Sequence, residues 1–182
     1  RDAPVANQAC IRGPVGLAYR SFTGDLFISD TDSRIRVVRQ VGIVETVLNG
    51  AGIAGYLDAT GIRAMFNRPS HMTLNEDESI LYIADRANNR IRQVDLPTMT
   101  VTTITDSESP SQDAGILAWN ECFPPESQRV IHFDEPFGIA YYTEPANVGE
   151  DAKKLFPKRA SVLLVSELRS HRLRRLVLVG DV

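Results

Sequence analysis

Short runs of β-branched and aromatic residues recur along the chain, and Gly, Asn, Asp and Pro separate them. Runs of this length and composition, bounded by turn-forming residues, predict β-strands. The runs are nearly continuous in their apolar character, which is typical of strands covered on both faces. The pattern therefore predicts an all-β chain whose sheets pack against one another.

The strands belong to a unit that occurs three times. Each unit opens with a proline and an apolar strand, at Pro14, Pro69 and Pro136. A second strand, a turn and a third strand follow, and the first two units add a fourth strand. Four antiparallel strands per unit predict the blades of a β-propeller. The chain is expected to be one such domain over 1–182, with units at about 13–50, 68–105 and 135–182 and insertions at about 106–134 and 143–160.

The turn between the second and third strands has similar polar residues in every unit. An acidic residue ends the second strand, and its carboxylate is expected to accept hydrogen bonds from the turn. Asn88 and Asn89 suit a backbone at positive φ. The arginine that opens the third strand is expected to pair with the acid across the turn. We interpret the set as structural, since one active site needs no third copy: Asp30, Arg34, Asp85, Asn88, Asn89, Arg90, Glu167, His171 and Arg172.

Two stretches resemble the NHL repeat family of β-propellers. They are the turn region Tyr82–Ile91 and the linker Gly50–Asp58, which continues through Ala64–Pro69. The third copy departs from the family pattern because Glu167 replaces the aspartate. The resemblance implies about three four-stranded blades of a six-bladed ring. Because propellers have 4–8 blades, we expect further blades in a larger protein, or a second chain, to complete the ring.

The charge distribution adds a candidate interaction surface. The net charge of −3 predicts no bulk attraction to nucleic acid,. Residues 106–151 are strongly acidic, whereas residues 158–182 contain six basic and two acidic residues. RNA recognition usually adds exposed aromatic side chains, and the aromatic residues here occupy strand positions. A protein partner is therefore favoured over RNA for a possible interaction strip formed by Arg36, Arg92, Arg169, Arg174 and Arg175.

Catalytic chemistry has weaker support. Related propeller lyases bind zinc through histidines at the central channel, but His71, His132 and His171 occupy non-equivalent places in their units. No Gly-x-Ser-x-Gly nucleophile motif is present,. The glycines of Gly50–Gly55 precede no long helix, so a dinucleotide site is not indicated. We expect no cofactor or metal.

The leading hypothesis is a non-enzymatic protein-interaction or scaffold module, with the two insertions as specific contacts. The alternatives are a metal-dependent propeller lyase or hydrolase and an RNA-binding NHL propeller. Cys10 and Cys122 match no metal-ligand spacing and leave the redox compartment open,. No apolar run reaches the roughly 20 residues of a membrane-spanning helix, and no feature indicates a cellular location.

Overall fold

The computed structural model describes residues 9–105, 116–119, 133–143 and 161–178. Over these residues the chain forms twelve β-strands and two short 3-10 turns, Gly61–Arg63 and Arg86–Asn88. The strands are β1 (Pro14–Arg20), β2 (Asp25–Asp30), β3 (Ile35–Val38), β4 (Val44–Leu48), β5 (Pro69–Leu74), β6 (Ile80–Asp85), β7 (Arg90–Asp95), β8 (Thr100–Thr103), β9 (Ile116–Trp119), β10 (Pro136–Thr143), β11 (Ser161–Glu167) and β12 (Arg172–Leu178). In the described residues, no helix is long and apolar enough to cross a membrane.

The strands form three four-stranded antiparallel sheets. Their strand orders are β1-β2-β3-β4, β5-β6-β7-β8 and β10-β11-β12-β9. The strands β1, β5 and β10 lie next to one another across the sheets, as the innermost strands of propeller blades do,. The prediction of an all-β partial propeller with three four-stranded blades is confirmed, and we call the three sheets blades I, II and III.

Blade III differs from the expected connectivity. Its fourth strand is β9, which precedes β10 in the chain and pairs antiparallel with β12, from Ile116 opposite Leu178 to Trp119 opposite Arg175. The sequence analysis placed these residues in an insertion and gave the third unit only three strands. That expectation was wrong for β9, because the edge of β12 offers backbone groups that a strand from elsewhere in the chain can satisfy. Residues 106–115 and 120–132 of the first insertion, and 144–160 of the second, lie outside the described residues.

Two apolar cores hold the blades together. Between blades I and II, Phe27 and Val37 pack with Leu81 and Ile83 from the facing sheet. Between blades II and III, the core includes Tyr82, which is fully buried. Blade II therefore buries side chains on both faces, as the nearly continuous apolar runs predicted.

The polar turns of the blades repeat in backbone conformation as well as in sequence. The residue before the first arginine of each pair has positive φ: 63° at Ser33, 57° at Asn89 and 52° at His171. The residue before each opening proline also has positive φ: 51° at Gly13, 52° at Arg68 and 53° at Glu135. The predicted left-handed turn is thus present at Asn89, and both positions lie where the innermost strands begin.

Candidate functional site

The acid that ends the second strand of blade II forms a buried ion pair. Arg92 Nη1 lies 2.8 Å from Asp85 Oδ2, and both side chains are 0% exposed. Asp85 also accepts hydrogen bonds from the Asn67 N–H and the Asn88 side chain, each at 2.8 Å. Burial raises the pKa of Asp85, and these donors oppose that rise,. The carboxylate therefore ties the turn, the linker and the third strand together.

The same guanidinium fastens the linker between blades I and II. Arg92 donates to the carbonyl oxygens of Leu57 and Met65, each at 3.0 Å. It also pairs with Asp58, which accepts a hydrogen bond from the Thr103 N–H of β8. Arg92 is therefore a structural residue that holds the linker against blade II.

Blades I and III have arginines at the position that Arg92 occupies in blade II. In blade I, Arg36 is buried and donates to the carbonyl oxygen of Cys10 at 3.1 Å. In blade III, Arg174 Nε lies 3.2 Å from Glu167 Oε1. In each blade this position is occupied by the second of two arginines spaced two residues apart, which is buried in blades I and II and half-buried in blade III.

This geometry corrects the predicted pairing across the turn. Arg34 forms its ion pair with Asp32, at 3.3 Å, although its backbone N–H does donate to Asp30. The Arg90 guanidinium stacks 4.0 Å from the centre of the Tyr56 ring. Arg172 is exposed. The first arginine of each pair lies beside the turn, at or directly before the start of the third strand, and the second lies two residues further along that strand.

The burial also corrects the predicted interaction strip. Arg36 and Arg92 are 2% and 0% exposed, so neither contributes to a surface that a partner contacts. The prediction was wrong for these two residues because a repeated arginine has the same sequence signature in a core as on a surface. Arg169 is exposed, and Arg174 and Arg175 are half-buried.

A different group of arginines lies at the surface between blades II and III. Arg86 Nη2 and Nε lie 2.8 Å and 3.2 Å from Glu135 Oε2. This hydrogen bonding, followed by the charges of Arg86, Arg169 and Arg68, lowers the pKa of Glu135,. We call Arg68, Arg86, Glu135 and Arg169 the arginine cluster; three cations surround one carboxylate in it.

The arginine cluster borders a shallow depression of about 90 Å³. Arg68 and Arg86 line it, together with Val15, Pro69 and Ser70 from the starts of β1 and β5 and Thr31 from the turn after β2. The Arg86 guanidinium also lies 5.9 Å from the centre of the Phe137 ring, which fixes its direction,. Sequence reasoning missed this cluster because its arginines occupy different positions of the repeat, so no periodic signal marks them.

The histidines do not converge. His71 is exposed and lies 4.8 Å from the Phe137 ring, centre to centre. His171 lies in the turn before β12, and His132 is outside the described residues. Among the described residues no three His, Cys, Asp or Glu side chains form a group able to hold a metal ion. Cys10 is exposed with a free thiol, and Cys122 is not among the described residues.

Comparison with known proteins gives distant relatives. No family model matches the chain. It is 28% identical over 131 residues to Protein SUPPRESSOR OF QUENCHING 1, chloroplastic, of Arabidopsis thaliana, covering 66% of this chain and 12% of that protein. It is 29% identical over 118 residues to NHL repeat-containing protein 2 of Bos taurus, covering 63% of this chain and 16% of that protein. The chain thus spans less than a fifth of either relative.

Solved structures share the fold. A Bacteroides thetaiotaomicron protein of unknown function superposes with a TM-score of 0.61 at 19% identity, over 90% of this chain and 34% of that one. An auxiliary nutrient binding protein from Bacteroides ovatus superposes with a TM-score of 0.57 at 18% identity, over 88% of this chain and 36% of that one. Together with the three radially stacked sheets, these likenesses show that the chain is a segment of the β-propeller fold.

Proposed function

We propose that this chain is a non-enzymatic interaction module that binds an acidic protein segment through the arginine cluster. One observation carries the proposal: the exposed arginines Arg68 and Arg169 lie near Glu135 but form no ion pair with any residue that the structure describes, and Arg86 already hydrogen-bonds the Glu135 carboxylate. Arginine forks match carboxylates in geometry as well as in charge. Arg68 and Arg169 are therefore able to bind carboxylates of another molecule.

The dimensions of the depression favour surface recognition. Small-molecule sites usually enclose about 300–1,000 Å³, and this depression is far smaller,. The repeated polar residues of the turns are engaged in holding the fold, as Asp85 and Arg92 illustrate. A flat, charged end of a propeller suits a polypeptide lying across several blades.

The surroundings favour an acidic protein over RNA. Single-stranded RNA is usually held by aromatic rings on which bases stack. Phe137 is the aromatic ring that contacts the cluster, and Arg86 and His71 already pack against it. The insertions at 106–134 and 143–160, apart from β9, remain proposed additional contacts.

The test measures binding of a fluorescent ten-residue glutamate peptide by anisotropy at two salt concentrations. The unaltered chain is expected to bind the peptide, more weakly at high salt because surface charges are screened. The double variant Arg68→Glu/Arg169→Glu is expected to lose binding at least tenfold, since two favourable contacts become repulsive. Arg63→Glu is the control, because Arg63 is an exposed arginine of the blade I–II linker outside the cluster.

Two results would contradict the proposal. Equal peptide binding by the double variant and the control would show that the cluster is not the contact. Tighter binding of a single-stranded RNA of equal charge, lost in the same double variant, would assign the cluster to nucleic acid instead.

A further inference from the structure

The two blade interfaces carry different charges at equivalent positions. Arg86 directly follows the acid that ends the second strand of blade II, and Glu135 directly precedes the opening proline of blade III. Their side chains form an ion pair at 2.8 Å. At the interface between blades I and II, the same two positions hold Thr31 and Arg68. These positions therefore hold a cation and no carboxylate at the first interface.

The shallow depression of about 90 Å³ lies at this first interface. Thr31 lines it from blade I, and Arg68 and Ser70 line it from blade II. Arg86 lines it as well, so the arginine that pairs with Glu135 also contributes to the depression. Two arginines therefore border one small space.

Both arginines keep N–H donors that no described residue accepts. Arg86 donates to Glu135 Oε2 through Nε and Nη2, at 3.2 Å and 2.8 Å. Its third nitrogen, Nη1, donates to no residue that the structure describes. The Arg68 backbone N–H donates to Ser33 Oγ at 3.1 Å, but the Arg68 guanidinium has no ion pair within the described ranges. Donors of both guanidiniums are thus available to a bound group.

The hydroxyl groups around the depression already donate within the protein. Thr31 Oγ1 donates to the carbonyl oxygen of Arg12 at 2.9 Å, and Ser70 Oγ donates to that of Phe137 at 2.8 Å. A group bound in the depression is therefore held by guanidinium N–H donors. Because a guanidinium donates and never accepts, the group that fits is an anion with several acceptor oxygens.

Charge and size favour a phosphoryl group over a carboxylate. Within the arginine cluster, three cations face one carboxylate, which leaves two positive charges. A phosphorylated serine or threonine carries about −1.5 to −2 at pH 7 and has three strong acceptor oxygens, whereas a carboxylate has one charge and two oxygens. The volume of about 90 Å³ equals roughly three water molecules at about 30 Å³ each,. It suits a compact ion and is too small for a nucleotide.

We propose that Arg68 and Arg86 bind a phosphoryl group in the depression, so that the acidic partner is a protein segment phosphorylated on serine or threonine. The inference rests on the proposed function, because it refines what the arginine cluster recognises. Arginine forks bind phosphate oxygens in bidentate geometry. Arg86 uses Nη1 and keeps its bond to Glu135, and Arg68 supplies the second guanidinium. Arg169 lies outside the depression and attracts the acidic residues that flank the phosphoryl group,.

Three fluorescent peptides test the inference by anisotropy. They have the same glutamate residues on both sides of one central position, which is phosphoserine, glutamate or serine. At about pH 7.5, where the phosphoryl group carries nearly two charges, the phosphoserine peptide is expected to bind roughly two- to fivefold more tightly than the glutamate peptide, the range of one exposed ion pair.

Two matched variants locate the phosphoryl group. Arg68→Gln and Arg169→Gln each remove one exposed arginine of the cluster, but only Arg68 lines the depression. Arg68→Gln is expected to abolish the preference for phosphoserine over glutamate. Arg169→Gln is expected to weaken binding of all three peptides and to keep the preference.

The outcomes separate this inference from the proposed function. Equal affinity for the phosphoserine and glutamate peptides would overturn the phosphoryl site and leave the acidic partner in place. Glutamate-peptide binding that ignores the double charge reversal described above contradicts the proposed function itself. A phosphoserine preference that survives Arg68→Gln would place the phosphoryl group elsewhere. Displacement of the peptide by inorganic phosphate, at concentrations near the dissociation constant of the peptide, would assign the depression to the free ion instead.

Discussion

Arg92 and Asp85 form an ion pair that is closed to solvent on both sides, with Nη1 2.8 Å from Oδ2 and each side chain 0% exposed. Both groups also make hydrogen bonds outside the ion pair. The arginine also bonds two linker carbonyls, and the aspartate receives a backbone N–H from Asn67. A buried pair of this kind is costly to break from one side, because the surviving charge stays in the interior.

Asp85→Ala is therefore expected to lower the free energy of unfolding by about 3–5 kcal/mol, since it leaves the Arg92 guanidinium without its buried partner. Urea unfolding, with the midpoint and slope fitted separately, measures the change. Asp95→Ala is the control: Asp95 ends β7, and its carboxylate accepts from the N–H and hydroxyl of Thr98 in the turn that follows. A loss no larger for Asp85 than for Asp95 would show that the pair is not a principal stabilising contact.

Glu78 links the first hairpins of blades I and II. Its contacts predict that the stability of the fold decreases at acid pH. It accepts the backbone N–H groups of Ser21 and Phe22, at 3.1 Å and 2.9 Å. The Phe22 N–H, followed by the Ser21 hydroxyl, lowers the pKa of Glu78 below its ordinary value of 4.5. A carboxyl whose pKa is lower in the folded state contributes stability above pH 4.5, and this contribution is lost as the pH falls through the folded-state pKa.

Glu78→Gln is expected to reduce stability at pH 7 and to flatten the fall in stability below pH 4.5. Thermal unfolding between pH 3 and pH 7 measures both effects. Glu76→Gln, in the same hairpin, provides a matched loss of charge. If Glu78→Gln and Glu76→Gln gave the same pH profile, the contact between hairpins would not be the source of the acid sensitivity.

The sequence predicted much of this architecture because the turn chemistry repeats. Asn89 suggested positive φ, and the acid at Asp85 suggested a turn acceptor; both features are present. Three features could not be read from one chain. The burial of Arg92 depends on a linker that folds over it, and β9 joins a distant sheet. Arg68 and Arg169 come near the same carboxylate, Glu135, only after two blades stack. Each depends on contacts between residues far apart in sequence, which local periodicity does not encode.

Asn89 contributes to the contact between blades II and III in two ways, through its backbone conformation and through the hydrogen bond that its side chain accepts. Asn89→Gly keeps the φ of 57° but removes the acceptor for the Glu135 N–H, so a loss of about 1 kcal/mol is expected,. Asn89→Ala removes the same bond and adds the strain of a side chain at positive φ, so its loss is expected to be roughly 1–2 kcal/mol greater. Thermal unfolding distinguishes the two variants, and equal losses would show that the left-handed turn carries no strain.

Gly16 sets how closely blades I and II approach. A Cβ built on Gly16 would lie 2.2 Å from the Ser70 carbonyl oxygen and 2.8 Å from His71 Cα, and both are backbone atoms that cannot rotate away. Gly16→Ala is therefore expected to force the innermost strands apart, break the bond from Ser29 Oγ to the Ser70 carbonyl and cost about 3 kcal/mol or more. Gly42→Ala is the control, because nothing lies within 4 Å of its added Cβ and only its positive φ is strained. Chemical denaturation compares the two, and amide exchange in β1 and β5 locates the damage. If the Gly16 variant lost no more stability than the Gly42 variant, the close approach of the two strands would not be what holds blade I to blade II.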